Sequence, residues 1–214
     1  LKILHANIPN FISHSQPEQL LDELRWSNFY LAYQGLDDKQ LQIDYAHFVA
    51  AMLAKIAPQF MQPRVKKDAA GRRLRIGYLS SFFRNCPVGM YFRSWTMRLN
   101  REQFEILVYH TRQETDPVTQ EIVDACDHFR HLVAGPVSPD SIAASVLSDD
   151  LDILVYPELG MDNTSFLLAA MRLAPVQCVT LGQPVTTVAY DVGYNSPSAF
   201  TADVPMGQSP LRSM

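Results

Sequence analysis

The stretch Leu74 to Met90, LRIGYLSSFFRNCPVGM, decides how this sequence folds. Its opening run, Leu74-Arg75-Ile76-Gly77-Tyr78-Leu79, is apolar and of strand length. It empties into a polar loop with Ser80, Ser81, Arg84 and Asn85 ahead of Pro87 and Gly89. Gly77 inside the run permits close approach of another backbone. In an open parallel sheet ligands bind beyond the carboxyl ends of the strands, so Ser80 to Gly89 is the first place to look for chemistry.

Downstream, the same alternation recurs. Phe104 to His110 reads as a second strand, His128 to Val133 as a short third, Leu151 to Tyr156 as a fourth and Val176 to Leu181 as a fifth. Helical patterns fill the gaps: Gly89 to Leu99, Asp116-Pro117 through Ala125, Asp140 to Leu147 behind Ser138-Pro139, and Asn163 to Leu173. Strands separated by helices predict an α/β fold with a parallel sheet and right-handed crossovers.

Upstream, Ser15-Gln16-Pro17-Glu18 fits a capping box opening a helix from Pro17 to Trp26, and Phe29 to Tyr33 continues it or begins a second turn. Asp37 or Asp38 caps the next helix, whose Leu41, Ile43, Tyr45, Phe48, Val49, Met52, Leu53 and Ile56 give a broad apolar face until Pro58. A face that wide needs a partner, either the α/β portion that follows or helices upstream. Residues 63–73, PRVKKDAAGRR, read as a solvated linker, since no aromatics interleave the basic residues.

Composition bounds the function. A chain of 214 residues suits one domain plus a smaller attachment, and 47% hydrophobic residues suffice for a sizeable core. The formal net charge of −4 argues against a nucleic-acid partner. Cys86, Cys126 and Cys178 lie far apart and form no CxxC pair, so no disulfide framework is expected and a reducing, cytoplasmic setting fits. No apolar run reaches the roughly 18 residues of a membrane span, and the N-terminus lacks signal-peptide features; neither membrane nor secretion is expected. The start on Leu1 and the ending GQSPLRSM lead us to expect a piece of a longer chain.

Three loops at strand carboxyl ends are polar enough to carry chemistry: Ser80 to Gly89, Pro157 to Asn163 and Gly182 to Thr187. Parallel topology places all three on one edge. The glycines never form GxGxxG or GxxxxGK[ST], and no GxSxG elbow occurs, which disfavours the usual nicotinamide fingerprint, the P-loop and the serine-hydrolase elbow. Glu158 and Asp162 serve either function or charge complementarity at a helix N-terminus. Ser80, Ser81 and Arg84 either meet a ligand or satisfy backbone at the strand end. His110 contacts a ligand or closes a turn. Cys86 reads as a small buried hydrophobe. Alternation sends His128 and His131 to opposite faces, against a zinc site, and Asp149, Asp150 and Asp152 read as a solvated turn.

RIGYLSSFFRNCPVG (Arg75 to Gly89), DILVYPELGMD (Asp152 to Asp162) and LAPVQCVTLGQPVTT (Leu173 to Thr187) resemble, in order and spacing, the catalytic region of the O-linked N-acetylglucosamine transferase/SPINDLY family. FYLAYQGLDDKQLQIDYA (Phe29 to Ala46) is similar to the helical segment that joins tetratricopeptide repeats to that region in bacterial members. The resemblance implies the N-terminal half of a GT-B glycosyltransferase: a helical segment over 1–62, a Rossmann-like domain over 63–187 and an irregular tail over 188–214.

It further implies an inverting transfer from a UDP-sugar, usually UDP-N-acetylglucosamine, to protein Ser or Thr hydroxyls, with no metal and no cofactor. The UDP-sugar is a co-substrate. The partners implied are donor, protein acceptor and a C-terminal GT-B domain that holds most nucleotide contacts, so that the chain alone is expected to be inactive. Ser80, Ser81, Arg84, Asn85, Glu158, Asp162, Gln183, Thr186 and Thr187 would line the interdomain cleft, with His110 as a further contact and Glu158 or Asp162 activating the acceptor. The family tends to read NHPVGH where this chain has Asn85-Cys86-Pro87-Val88-Gly89-Met90, and GHP or GYP where it has Gly182-Gln183-Pro184. A thiol or thioether replaces a basic imidazole poorly, so a lapsed enzyme acting as a protein-binding scaffold is the rival expectation.

Overall fold

The computed structural model describes residues 34–65, 68, 70–133 and 139–179, together with His14 and Gln16. The expected helix from Pro17 to Trp26 and the segment after Val179, with Gln183, Thr186 and Thr187, lie outside the described residues.

The elements follow in chain order: α1 (Lys39–Ile56), a 3-10 turn (Pro58–Phe60), β1 (Leu74–Ser80), α2 (Pro87–Arg98), β2 (Phe104–His110), α3 (Pro117–Ala125), β3 (His128–His131), α4 (Asp140–Ser148), β4 (Ile153–Tyr156), α5 (Asn163–Ala170) and β5 (Val176–Val179). All pairings are parallel, in the order β3-β2-β1-β4-β5. The chain therefore winds outward from β1 to β3, then crosses back to place β4 on the other side of β1. That reversal between β1 and β4 is the topological switch point of a doubly wound sheet, where a crevice opens at the carboxyl ends.

Both sheet faces are buried, as parallel sheets require. Leu79, Tyr109, Leu154 and Tyr156 pack on one face with Val49, Met52 and Leu53 of α1, Ile142 and Val146 of α4 and Leu168 of α5. Ile76, Tyr78, Ile106, Val108 and Val155 pack on the other with Val118 and Ile122 of α3. The broad apolar face of α1 thus finds its partner in the α/β portion, and Tyr45 stacks on Phe166 of α5 with centroids 5.6 Å apart.

Gly77 earns its place differently from the sequence reading. What approaches it is side chain: a Cβ there would overlap Leu151 Cδ1 and lie 3.0 Å from the Tyr109 ring. Helix α5 stops at Ala170, short of Leu173. The reason is a set of competing bonds: Arg172 N donates to Phe60 O, and the buried Gln177 Oε1 takes Leu173 N at 2.6 Å. Ala174 precedes Pro175, a position biased away from helix.

The turn before β4 also differs from expectation. Asp149 and Asp152 are buried rather than solvated. Arg130 reaches Asp149 at 2.6 Å while the Tyr109 hydroxyl donates to it at 2.8 Å. Arg72 grips Asp152 with two bonds of 2.6 Å, and the Arg75 amide donates to the same carboxylate at 2.9 Å. The linker is likewise pinned, since Arg73 pairs with Asp127 at 2.9 Å.

Candidate functional site

The loop after β1 is wound tightly before it reaches α2. Arg84 N donates to Phe82 O at 2.8 Å and Cys86 N to Arg84 O at 2.7 Å, two successive i to i+2 bonds. Phe82 N donates to Ser80 Oγ at 3.0 Å, the Cys86 thiol to Phe82 O at 3.3 Å, and Thr119 Oγ1 of α3 to Phe83 O at 2.7 Å. Gly89 allows this, because a Cβ there would overlap the Arg84 carbonyl oxygen and crowd the Arg84 amide at 2.7 Å. Pro87 opens α2 at its first turn, where the missing N–H costs nothing.

Asp116 ties this loop to α3. One oxygen caps the helix, accepting Thr119 N at 3.1 Å in a capping box. The other accepts the Asn85 amide at 2.5 Å. That amide, with the cap bonds, holds the Asp116 carboxyl below its ordinary range.

Across the switch point stands Glu158. It is fully buried, and its Oε1 accepts the Ser80 hydroxyl at 3.5 Å, which joins the carboxyl ends of β1 and β4. Its Oε2 has no hydrogen-bond partner among the described residues. Burial pushes the carboxyl up to about 7, and the nearby charge of Asp162 adds to the shift against hydrogen bonding from Ser165, the Met161 backbone and Ser80. Asp162 itself caps α5, accepting Ser165 N at 2.9 Å and Ser165 Oγ at 3.1 Å. The two carboxylates divide the work: Asp162 holds the helix and biases the field, and Glu158 keeps a bare oxygen in a dry place.

His110, at the end of β2, is buried, and its Nε2–H donates to Glu114 O at 2.8 Å, which closes the 111–116 turn. That bond fixes the tautomer and leaves Nδ1 buried with no hydrogen-bond partner among the described residues. Burial and the adjacent His131 lower its basicity, the Glu114 carbonyl opposing them. The His131 ring stacks on His110 at 5.4 Å and donates to Arg112 O at 2.6 Å.

Ser80, Ser81, Arg84, Asn85, His110, Glu158 and Asp162 therefore all sit at one sheet edge, on the loops after β1, β2 and β4. Among the described residues, Ser81 Oγ, Arg84 Nε, His110 Nδ1, Thr111 Oγ1, Tyr156 Oη and Glu158 Oε2 are buried polar atoms with no hydrogen-bond partner, and all six belong to residues at or just beyond the carboxyl ends of β1, β2 and β4. Thr111, Tyr156 and Asp116 were not singled out from sequence. Asp116 carried the signal of an Asp-Pro helix start, whereas Tyr156 reads locally as one more apolar strand residue. A buried polar atom without a partner costs about 1–3 kcal/mol, so a cluster of them marks a surface awaiting other atoms.

Comparison with known proteins places these loops in context. The model of glycosyl transferase family 41 matches residues 42–208. The probable UDP-N-acetylglucosamine–peptide N-acetylglucosaminyltransferase SEC of Arabidopsis thaliana is 32% identical over 141 residues, covering 64% of this chain and 14% of that protein. A UDP-glucose:protein N-beta-glucosyltransferase of Actinobacillus pleuropneumoniae serotype 5b (strain L20) is 33% identical over 97 residues, or 44% of this chain and 15% of the relative. The chain thus spans about one seventh of the length of these relatives. In fold it is similar to a mutant O-GlcNAc transferase of Thermobaculum terrenum, with TM-score 0.52 and 22% identity, over 83% of this chain and 36% of the other.

Proposed function

This chain belongs to glycosyl transferase family 41, and on that premise we propose that it forms the N-terminal catalytic portion of an inverting protein glycosyltransferase. The proposed reaction transfers a sugar, N-acetylglucosamine, from its UDP carrier to a protein Ser or Thr hydroxyl. The plant relative's name describes such a transfer to peptide, and the bacterial relative's a transfer of glucose to protein.

The observation that carries the reading is Glu158 at the switch point, bare at Oε2 and poised near neutral pH. A general base works best when its pKa lies close to the working pH, and burial has brought a carboxylate there. In the proposed step the acceptor oxygen attacks the anomeric carbon, the bond from that carbon to the diphosphate breaks, and the acceptor proton passes to Glu158. Ser80 faces the carboxylate at Oε1 across 3.5 Å, and Asp162 lifts its basicity from the α5 cap. Stabilising the departing diphosphate falls to groups outside the described residues, and the reading uses no metal ion or cofactor. The chain alone is accordingly proposed to be inactive.

The test adds a separately produced C-terminal catalytic domain from a family relative to this chain, with UDP-N-acetylglucosamine and a serine peptide, and reads product by mass spectrometry. Product only in the mixture supports the reading; product from the chain alone refutes the division between halves. A second reading, a lapsed enzyme serving as scaffold, is favoured by Cys86 and Met90 where the resemblance has histidines. Cys86 donates its thiol to Phe82 O, and Met90 is 44% exposed. No product from a folded mixture, even with Cys86→His and Met90→His, would favour the scaffold.

A further inference from the structure

We infer that Arg84 and Arg112, set around the Phe82 ring, form a carboxylate-binding subsite that reads an acidic side chain of the acceptor protein. This rests on the acceptor-side reading above and names what that side selects.

Each guanidinium carbon lies 5.8 Å from the centroid of the Phe82 ring, a cation–π distance that orients both arginines without neutralising either. Five arginines around the sheet have carboxylate partners: Arg72 with Asp152, Arg73 and Arg101 with Asp127, Arg75 with Glu105, and Arg130 with Asp149. Arg84 has no carboxylate partner among the described residues, and its Nε–H is buried with nothing to accept it. Arg112 is held only loosely, by the 68% exposed Glu114 at 3.6 Å. An arginine fork that keeps one N–H dry and unpaired favours a planar oxyanion, and carboxylate geometry matches it bidentately.

The anion is a carboxylate rather than a diphosphate because the amides from Arg84 to Cys86 are already committed. A phosphate cradle uses free amides and a helix N-terminus. Here the amides of Arg84 and Cys86 close turns, the Asn85 amide is occupied by Asp116 at 2.5 Å, and Pro87 contributes none. The fixed negative charge of Asp116 beside that amide further opposes a dianion. Arg84, Arg112 and Phe82 offer two side-chain forks and an aromatic face, a surface suited to an extended peptide carrying Asp or Glu. Its rigidity comes from the Ser80, Thr119 and Gly89 contacts that fix the loop.

The experiment measures fluorescence-anisotropy binding of labelled serine peptides to this chain at low salt, with Asp or isosteric Asn scanned through the three positions on either side of Ser. The expected result is about tenfold tighter binding of the best Asp peptide than its Asn counterpart. Arg84→Gln should remove most of that preference, Arg84→Lys should keep part of it, and Arg84→Gln with Arg112→Gln should abolish it, each with an unchanged circular dichroism melt. Equal affinity for Asp and Asn peptides, or a preference that survives the double variant, overturns the subsite. Competition by UDP stronger than by free glutarate would make the forks a nucleotide contact and also overturns it. Failure of the parent reading looks different: the acidic preference persists while no sugar reaches the peptide in the reconstituted mixture.

Discussion

The two edges of the sheet treat the same kinds of side chain in opposite ways. At the amino edge, carboxylates are paired: Asp152 with Arg72, Asp127 with Arg73 and Arg101, Asp149 with Arg130 and the Tyr109 hydroxyl. At the carboxyl edge, Glu158 and Arg84 each keep a buried atom without a partner among the described residues. The pKa shifts record the contrast. Burial raises Asp149 and Asp152, but bonds from Arg130 and Tyr109, and from Arg72 and the Arg75 amide, outweigh it and leave both below the usual carboxylate range. Among the described residues no cation outweighs the burial of Glu158, and it rises to about 7. Polar groups that neutralise one another hold a fold; polar groups left dry and unmatched are held ready for something else.

The largest effect expected of this contrast is catalytic. In the reconstituted enzyme, Glu158→Gln should lower kcat by about 10²–10⁴-fold and remove the rise in rate expected of the wild type as pH climbs through about 7. A variant with the wild-type pH profile would remove Glu158 from the chemistry.

Next comes stability against pH. The folded value for Glu158 lies above its ordinary 4.5, so its native state is favoured by the bound proton: that stabilisation is complete below 4.5 and is lost as pH rises through about 7. The loss is on the order of 3 kcal/mol. His110 acts in the opposite sense, its stabilisation present above 6.5 and lost as pH falls below it. Subtracting the denaturant-melt profile of Glu158→Gln from that of the wild type isolates the carboxylate.

At the amino edge, Asp152→Ala removes the acceptor of the Arg75 amide as well as that of Arg72, and should cost about 1–3 kcal/mol with no change in the pH-rate profile. The smallest effect is expected away from both edges. Arg93 and Glu121 pair at 2.6 Å on the exposed surface, and Arg93→Ala should shift stability by about 1 kcal/mol or less.

The strands and the edge that carries the candidate site were legible because they rest on local pattern. The run from Leu74 to Leu79 and the turn residues after it predict both β1 and the loop beyond it. The partners were not legible, because they come from far along the chain. Asp152 reads as solvated until Arg72, 80 residues away, is folded against it. Ser80 and Glu158 are 78 residues apart, and only the crossover from β3 to β4 brings them together. Helix α5 ends early through the Gln177 amide, a buried side-chain competitor that periodicity does not register. Gly77 shows the same limit: its need for space was readable, and the identity of what fills that space was not.

The most direct test of the contrast is a carbon-detected NMR titration of the side-chain carboxyls of Glu158 and Asp152 in one sample. A Glu158 midpoint near 7 beside an Asp152 midpoint below 3.8 is the predicted result. Both groups titrating below 4.5 would contradict it, since the carboxyl edge would then hold an ordinary, solvated glutamate and no poised base.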